Sequence, residues 1–184
     1  MAPLVTTMGL DPSLSHGALV RASWKFGPTP VLERYEPLFV WGKTKSTEDG
    51  LSGASTPEEM AAWGHRVLTS VFAADGWEDG VPLFIDWDER SVLWKGQGIY
   101  ANKTSLLIGY LIRGFQARGT PVIVISPAEV RTHFGLSQRA DKSAVWEEAG
   151  LDLPERTNSD LRDTLLLSYV GAASIRRKAQ TSHG

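Results

Sequence analysis

Cysteine is absent from the chain of 184 residues, which excludes disulfides, thiolate catalysis and zinc sites built on cysteine. No apolar run approaches the roughly 18 residues that a membrane span needs. The first residues also lack the basic segment and apolar core of a secretory signal peptide. These absences permit, without requiring, a location in the reducing cytoplasm and predict a protein with no membrane partner.

A strong excess of one charge is missing as well. The formal net charge is -2, and the hydrophobic share of 42% is that of an ordinary globular protein. A chain of this length can form a core of its own, so we expect a single domain over residues 1–184. Weak negative charge argues mildly against nucleic-acid binding. Acidic residues gathered at a metal site could nevertheless offset basic patches elsewhere.

Strand and helix patterns follow one another along the chain. Periodicity and turn residues predict strands near residues 4–10, 18–24, 81–86 and 122–125, and either one strand over residues 31–41 or a pair over 31–35 and 38–41. The last of these is an apolar, β-branched run that is typical of a central strand. Helices are expected near residues 56–72, 105–117, 127–135, 140–149 and 160–178. Residues 43–55 are expected to form a polar loop, residues 87–103 to be irregular, and the basic tail from about 176 to 184 to be flexible. A mixed sheet with helices on its faces fits this order.

Four aspartates stand at suggestive positions. Asp11 follows the first strand, Asp86 ends another, and Asp160 and Asp163 lie one helical turn apart. Hard divalent cations prefer such oxygen ligands, and carboxylates brought together without a cation repel each other. Local readings compete, because an aspartate before proline usually belongs to a turn and one at a helix start is often a cap. Asp88, on the same strand face as Asp86, is a rival ligand.

Several motifs in order resemble the RuvC-type Holliday junction resolvases, which belong to the RNase H-like superfamily. The motifs are Met8–Gly17, Pro82–Asp86, Asn102–Ser105, Ser126–Arg131 followed by Arg139–Lys142, and Asn158–Leu165. They cover nearly the whole chain. The resemblance implies an α/β, RNase H-like fold with a mixed five-stranded sheet flanked by helices on both faces.

The resemblance also implies an activity, a metal-dependent endonuclease that makes paired symmetric nicks in four-way DNA junctions. Two Mg²⁺ ions, for which Mn²⁺ can substitute, would be held by Asp11, Asp86, Asp160 and Asp163, leaving a 5′-phosphate and a 3′-hydroxyl. Lys142 would contact the phosphate near the scissile bond. A homodimer would present two active sites to the nearly two-fold junction. Further DNA contacts are expected from Arg131, Arg139 and an aromatic wedge, either Trp94 or Tyr100.

The chain departs from the family pattern at several positions. Asp86 stands where the family typically has the longer glutamate, Ser13 replaces a glycine, and the loop over residues 87–100 is longer. These departures favour a divergent, phage-encoded member acting in a bacterial cell or an infected host. They also keep two alternatives open: a less selective RNase H-like nuclease on branched DNA or RNA–DNA hybrids, and a junction-binding protein without catalysis. For His16, a solvated turn residue is favoured over one that orients water.

Overall fold

The computed structural model describes residues 3–27, 30–42, 55–87, 98–151 and 159–181. Five strands form one sheet: β1 (Leu4–Pro12), β2 (Gly17–Phe26), β3 (Pro30–Trp41), β4 (Leu83–Asp86) and β5 (Val122–Ile125). The helices of these ranges are α1 (Pro57–Phe72), α2 (Gly98–Ala117), α3 (Pro127–His133), α4 (Lys142–Ala149) and α5 (Ser159–Thr181).

The sheet has the order β3-β2-β1-β4-β5, with β1 in the middle. The first three strands form an antiparallel meander, whereas β4 and β5 run parallel to β1. Parallel neighbours need a crossover connection. Helix α1 lies between β3 and β4 in the chain, and α2 lies between β4 and β5. The prediction of a mixed five-stranded sheet with helices on both faces is confirmed.

Two predictions about local structure were wrong. Strand β5 is an edge strand rather than a central one, and its Ile123 and Val124 are 39% and 43% exposed. Apolar, β-branched residues suit both positions, so composition alone cannot separate them. Helix α2 begins at Gly98, within the stretch that was expected to be irregular. The polar run Asn102–Ser105 near its start interrupts the apolar periodicity on which the prediction relied.

Strand β3 agrees with one of the two expected alternatives, whereas the end of helix α5 differs from the sequence pattern. Strand β3 is continuous across the region expected to hold one strand or a pair, and it pairs with β2 through two register shifts. Helix α5 continues through residues 176–181, where a tail was expected to begin. The predicted loop over residues 43–55 lies outside the described residues except for Ser55.

The two sheet faces are covered by different helices. On one face Met8, Leu10 and Ile85 pack with the buried residues of α1 and α2. On the other face Val20 and Trp24 pack against α5. Within the described ranges, no helix is both long and apolar enough to cross a membrane.

Helix α5 approaches β1 closely at Gly9. A Cβ atom added there would lie only 2.0 Å from the carbonyl oxygen of Thr164. Two buried hydroxyls continue this contact, because Thr7 Oγ1 donates to the carbonyl oxygen of Ser168 at 2.7 Å, and Trp24 Nε1 donates to Ser168 Oγ at 2.9 Å. The first turns of α5 are thereby held beside the carboxyl end of β1.

Candidate active site

Asp11 and Asp86 lie at neighbouring strand ends. The parallel pairing of β1 with β4 places Gly9 beside Phe84 and Leu10 beside Ile85. Asp11 lies two residues after Gly9, and Asp86 lies two residues after Phe84. Since alternate residues of a strand share a face, both side chains project from the face that carries α5. Adjacent strands are about 5 Å apart, so the two carboxylates start from neighbouring positions.

Helix α5 brings two further aspartates to this edge. Asp160 lies in its first turn, and Asp163 follows one turn later with only 8% of its surface exposed. The contact between Gly9 and Thr164 sets their distance from β1. The positive end of the helix dipole also favours carboxylates in this first turn. The expected meeting of β1 with the two α5 aspartates is therefore produced by the packing of one helix on one strand.

The electrostatics of Asp11 show that these groups act on one another. The pKa of Asp11 is raised from 3.8 to about 6, mainly by burial and further by the negative charges of Asp163 and Asp160. Lys142 and His16 lower the same pKa. In the described part of the chain, no side chain forms a hydrogen bond or an ion pair with the Asp11 carboxylate. A buried carboxylate without such a partner is poorly stabilised in its charged form.

Lys142 supplies the positive charge within this group. Its ammonium donates to Asp163 Oδ2, forming an ion pair. Partial burial alone lowers the pKa of Lys142. The hydrogen bond and charge of Asp163, together with the charges of Asp11 and Asp86, raise this pKa above its ordinary value. Lys142 therefore remains charged at neutral pH and offsets part of the mutual repulsion of the carboxylates.

Trp146 is a site residue that the sequence interpretation missed. It lies one helical turn after Lys142 on α4, so both side chains reach the same region of α5. Burial raises the pKa of Asp163, while Lys142 and the nearby indole N–H of Trp146 lower it. The indole N–H does not reach ordinary hydrogen-bond geometry with any described group. The spacing of four residues between Lys142 and Trp146 was the available signal.

A small cavity adjoins the carboxylates. Its volume is about 50 Å³, and it opens between α3, α4 and α5. Asp86, Asp163, Lys142 and Arg131 line it together with apolar side chains that include Trp146. Arg131 also donates from Nε to the carbonyl oxygen of Ala140 at 2.7 Å, which ties α3 to the segment before α4. The wall of this cavity beside the carboxylates is therefore partly polar and partly apolar.

His16 enters the site from the turn between β1 and β2. Its Nδ1 lies 3.1 Å from Asp160 Oδ1, although the two residues are 144 positions apart in the chain. A carboxylate oxygen accepts hydrogen bonds, so Nδ1 carries the hydrogen in this pair. His16 is exposed in the turn, as expected, but it also makes this long-range contact, which the local sequence pattern could not show.

The residues expected to bind DNA are only partly described. Arg139 is exposed on the segment before α4, and Arg131 lines the cavity. Tyr100 belongs to α2 by its backbone, but its side chain lies outside the described residues, as do Trp94 and Asp88. Asp86 and Asp88 therefore remain alternative predicted ligands. Trp94 and Tyr100 likewise remain alternative predicted wedge residues.

The donor chemistry of the site fits a hard divalent cation. As they stand, no three aspartate, glutamate or histidine side chains of the described ranges are arranged to hold a metal ion together. Carboxylates repel each other in the absence of a cation, and Asp163 is paired with Lys142. The carboxylates of Asp11, Asp86, Asp160 and Asp163 are nevertheless oxygen ligands that such ions prefer. A bound cation would also place a positive charge against the Asp11 carboxylate, which has no hydrogen-bond or ion-pair partner among the described side chains.

Comparison with solved structures agrees with this architecture. The structure of Thermus thermophilus RuvC matches with a TM-score of 0.59 and 17% identity, covering 95% of this chain and 96% of that one. T. thermophilus RuvC in complex with Holliday junction substrate matches with a TM-score of 0.60 and 19% identity over the same shares. The yeast mitochondrial Holliday junction resolvase Ydc2 gives 0.63 and 12%, covering 99% of this chain and 84% of that one.

These likenesses establish a RuvC-type resolvase fold, with a mixed sheet and helices in the same arrangement over nearly the whole chain. No protein-family model matches the sequence, and no curated protein matches it. The identities of 12–19% concern the fold alone. Any activity of this chain therefore depends on the side chains of its site.

Proposed function

We propose that this protein is a metal-dependent endonuclease that resolves four-way DNA junctions. The observation that carries the proposal is the meeting of Asp11, Asp160, Asp163 and Lys142 at one edge of the sheet, where each affects the pKa of another member of the group. The RuvC-type fold supports the choice of substrate, since one matched structure is a RuvC bound to Holliday junction substrate. Asp86 completes the proposed ligand set.

The chemistry assigned to these residues is phosphodiester hydrolysis. Asp11, Asp86, Asp160 and Asp163 would hold two Mg²⁺ or Mn²⁺ ions, which when bound activate a water molecule and stabilise the leaving oxygen. Lys142 would neutralise negative charge on the phosphate while it remains close to Asp163. The products would carry a 5′-phosphate and a 3′-hydroxyl.

The proposed DNA contacts surround this centre. Arg139 is exposed and free to approach phosphate, whereas Arg131 is already anchored by its bond to Ala140 and would act from the cavity wall. Trp94 or Tyr100 remains the proposed wedge. Phosphate contacts of this kind position the duplex without reading its sequence. Recognition would depend partly on junction shape and partly on a short preferred sequence.

Paired symmetric nicks require two active sites facing opposite strands, so we also propose a homodimer. Helix α2 offers a surface for it, because Leu106 and Tyr110 are 55% and 37% exposed. Light scattering after gel filtration would test this assignment. A protein that stays monomeric on the junction would contradict the paired-nick model.

The central experiment is cleavage of a synthetic four-way junction with end-labelled arms, in the presence of Mg²⁺ or Mn²⁺. Two nicks at symmetric positions that leave ligatable ends support junction resolution. Equal cutting of flaps, Y-structures and RNA–DNA hybrids indicates the less selective nuclease. Tight junction binding without cutting under either metal indicates the non-catalytic binding protein.

Two variants make this assay specific to the proposed site. Asp11→Asn should abolish nicking while junction binding persists, because the amide keeps the shape but loses the charged ligand. The matched control is Asp75→Asn, which changes an exposed aspartate just beyond α1. Nicking that survives Asp11→Asn, or is lost equally in Asp75→Asn, would contradict the assignment.

A further inference from the structure

The turn that carries His16 is braced from several sides. Ser13 donates its backbone N–H to the carbonyl oxygen of His16 at 3.2 Å. Trp41, which is almost fully buried, donates from Nε1 to the carbonyl oxygen of Ser13 at 3.0 Å. Gly17 fits closely beneath the Trp41 ring, since a Cβ atom added there would lie 2.4 Å from it. The backbone position of His16 is therefore set by packing rather than by solvent.

The imidazole makes use of this fixed position. Its Nδ1 donates to Asp160 Oδ1 at 3.1 Å, while the two side chains are 55% and 20% exposed. Asp11 lies five residues earlier on the same hairpin, so one rigid turn joins β1 to the first turn of α5. With one oxygen of Asp160 engaged, the second remains available to another partner. Groups that hydrogen-bond a metal-ligating carboxylate fix its orientation and tune the ion.

We propose that His16 is a positioning residue that holds the Asp160 carboxylate in the orientation needed for cation binding. This inference rests on the proposed function, because Asp160 is one of the proposed ligands. It extends that function to a residue for which the resemblance implied no role. It does not require His16 to touch the ion or the DNA. Its role depends on a donor at the position of Nδ1.

Replacing His16 with asparagine or glutamine distinguishes the effect of a donor at the Nδ1 position from the effect of side-chain bulk or charge. The amide nitrogen of asparagine can occupy nearly the position of Nδ1, whereas that of glutamine lies one bond further out. His16→Ala removes the donor altogether. The matched control is His65→Ala, which deletes an exposed imidazole from α1 on the opposite sheet face. Thermal unfolding in EDTA checks that each variant remains folded.

The test is calorimetric titration of the full-length protein with Mn²⁺, followed by the Mg²⁺ concentration that gives half-maximal nicking. Loss of a partner that orients a metal ligand typically costs 10- to 100-fold in affinity or activity. We expect His16→Ala and His16→Gln to weaken Mn²⁺ binding by about tenfold or more and to raise the Mg²⁺ requirement similarly. His16→Asn should recover most of the affinity, and His65→Ala should match the unmodified protein.

Three results would overturn the inference in different ways. If the unmodified protein binds Mn²⁺ and nicks junctions but His16→Ala stays within about twofold of it, His16 has no positioning role and the proposed function stands. If the unmodified protein binds no Mn²⁺ and nicks no junction, the inference and the proposed function both fail. Equal losses in the alanine, glutamine and asparagine variants would also reject the hydrogen-bond explanation.

Discussion

Replacing Asp11 with asparagine should stabilise the protein in the absence of divalent cations. The pKa of Asp11 is about 6 in the folded state, against 3.8 for an exposed aspartate. The difference is about two pH units, and each pH unit corresponds to about 1.4 kcal/mol. Keeping this carboxylate ionised therefore costs roughly 3 kcal/mol of the free energy of unfolding above pH 6. Asparagine has nearly the same shape and carries no charge.

The sign of the pH dependence follows from the raised pKa. Between pH 3.8 and about 6 the folded state binds more protons than the unfolded state at this group. The contribution of Asp11 to stability is thus fully present below pH 3.8 and is lost as the pH rises through about 6. The advantage of Asp11→Asn should be largest near pH 8 and should shrink towards zero at acidic pH.

Urea unfolding in EDTA at a series of pH values measures this difference directly, since the midpoint and the m-value together give the free energy of unfolding. The exposed control Asp75→Asn should change it by less than about 0.5 kcal/mol. Mg²⁺ should stabilise the unmodified protein more than Asp11→Asn, because a ligand that binds only the folded state raises its stability. The reasoning is refuted if Asp11→Asn is less stable at pH 8, or if its effect does not vary with pH.

Three further outcomes are expected. Lys142→Ala should lower the free energy of unfolding by about 1–3 kcal/mol at pH 8, because the nearly buried Asp163 loses its donor. The control Lys25→Ala, which removes an exposed ion pair, should lower the free energy of unfolding by less than about 1 kcal/mol. Equal losses for the two variants in chemical denaturation would contradict the role of Lys142 as the partner of Asp163. Gly9→Ala should lower the free energy of unfolding by about 1–3 kcal/mol or more, because the added methyl group overpacks against α5. Gly109→Ala, at an open helical position, should raise the free energy of unfolding by about 0.5–1 kcal/mol. A stable Gly9→Ala variant that nicks normally would show that the close approach does not position the aspartates. Junction affinity should fall steeply with added salt as phosphate contacts release counterions, so a dissociation constant independent of salt would argue against phosphate binding.

Short-range patterns identified most elements correctly, because their signals lie within a few residues. Capping boxes mark the starts of α1 and α3, with Thr56 and Ser126 as the N-cap residues. Each is followed by proline and then by glutamate in the third helical position. In both cases the side chain and the backbone cap each other as that pattern predicts. Periodicity was less informative near the start of α2, where a polar run interrupts it. It also could not place β5 at the edge of the sheet.

The identity of the acids could be read from the chain, but their geometry could not. Asp11 and Asp86 share a face because β1 and β4 pair in one register, and a slip of one residue would turn one carboxylate to the other face. The position of Asp160 depends on the approach of α5 to Gly9. Lys142 was named from the motif order, whereas its pairing with Asp163 required α4 and α5 to be packed together.

The sequence by itself determined which residues can carry the chemistry, in what order they occur, and which strands and helices hold them. These properties depend on residue type, periodicity and capping, which act over a few positions. Only the tertiary structure decided that His16 reaches Asp160, that Trp146 lies beside Asp163, and that Asp11 is buried enough for its pKa to rise. These contacts join residues far apart in the chain. They are set by strand register and by helix packing on the sheet, to which no local pattern responds.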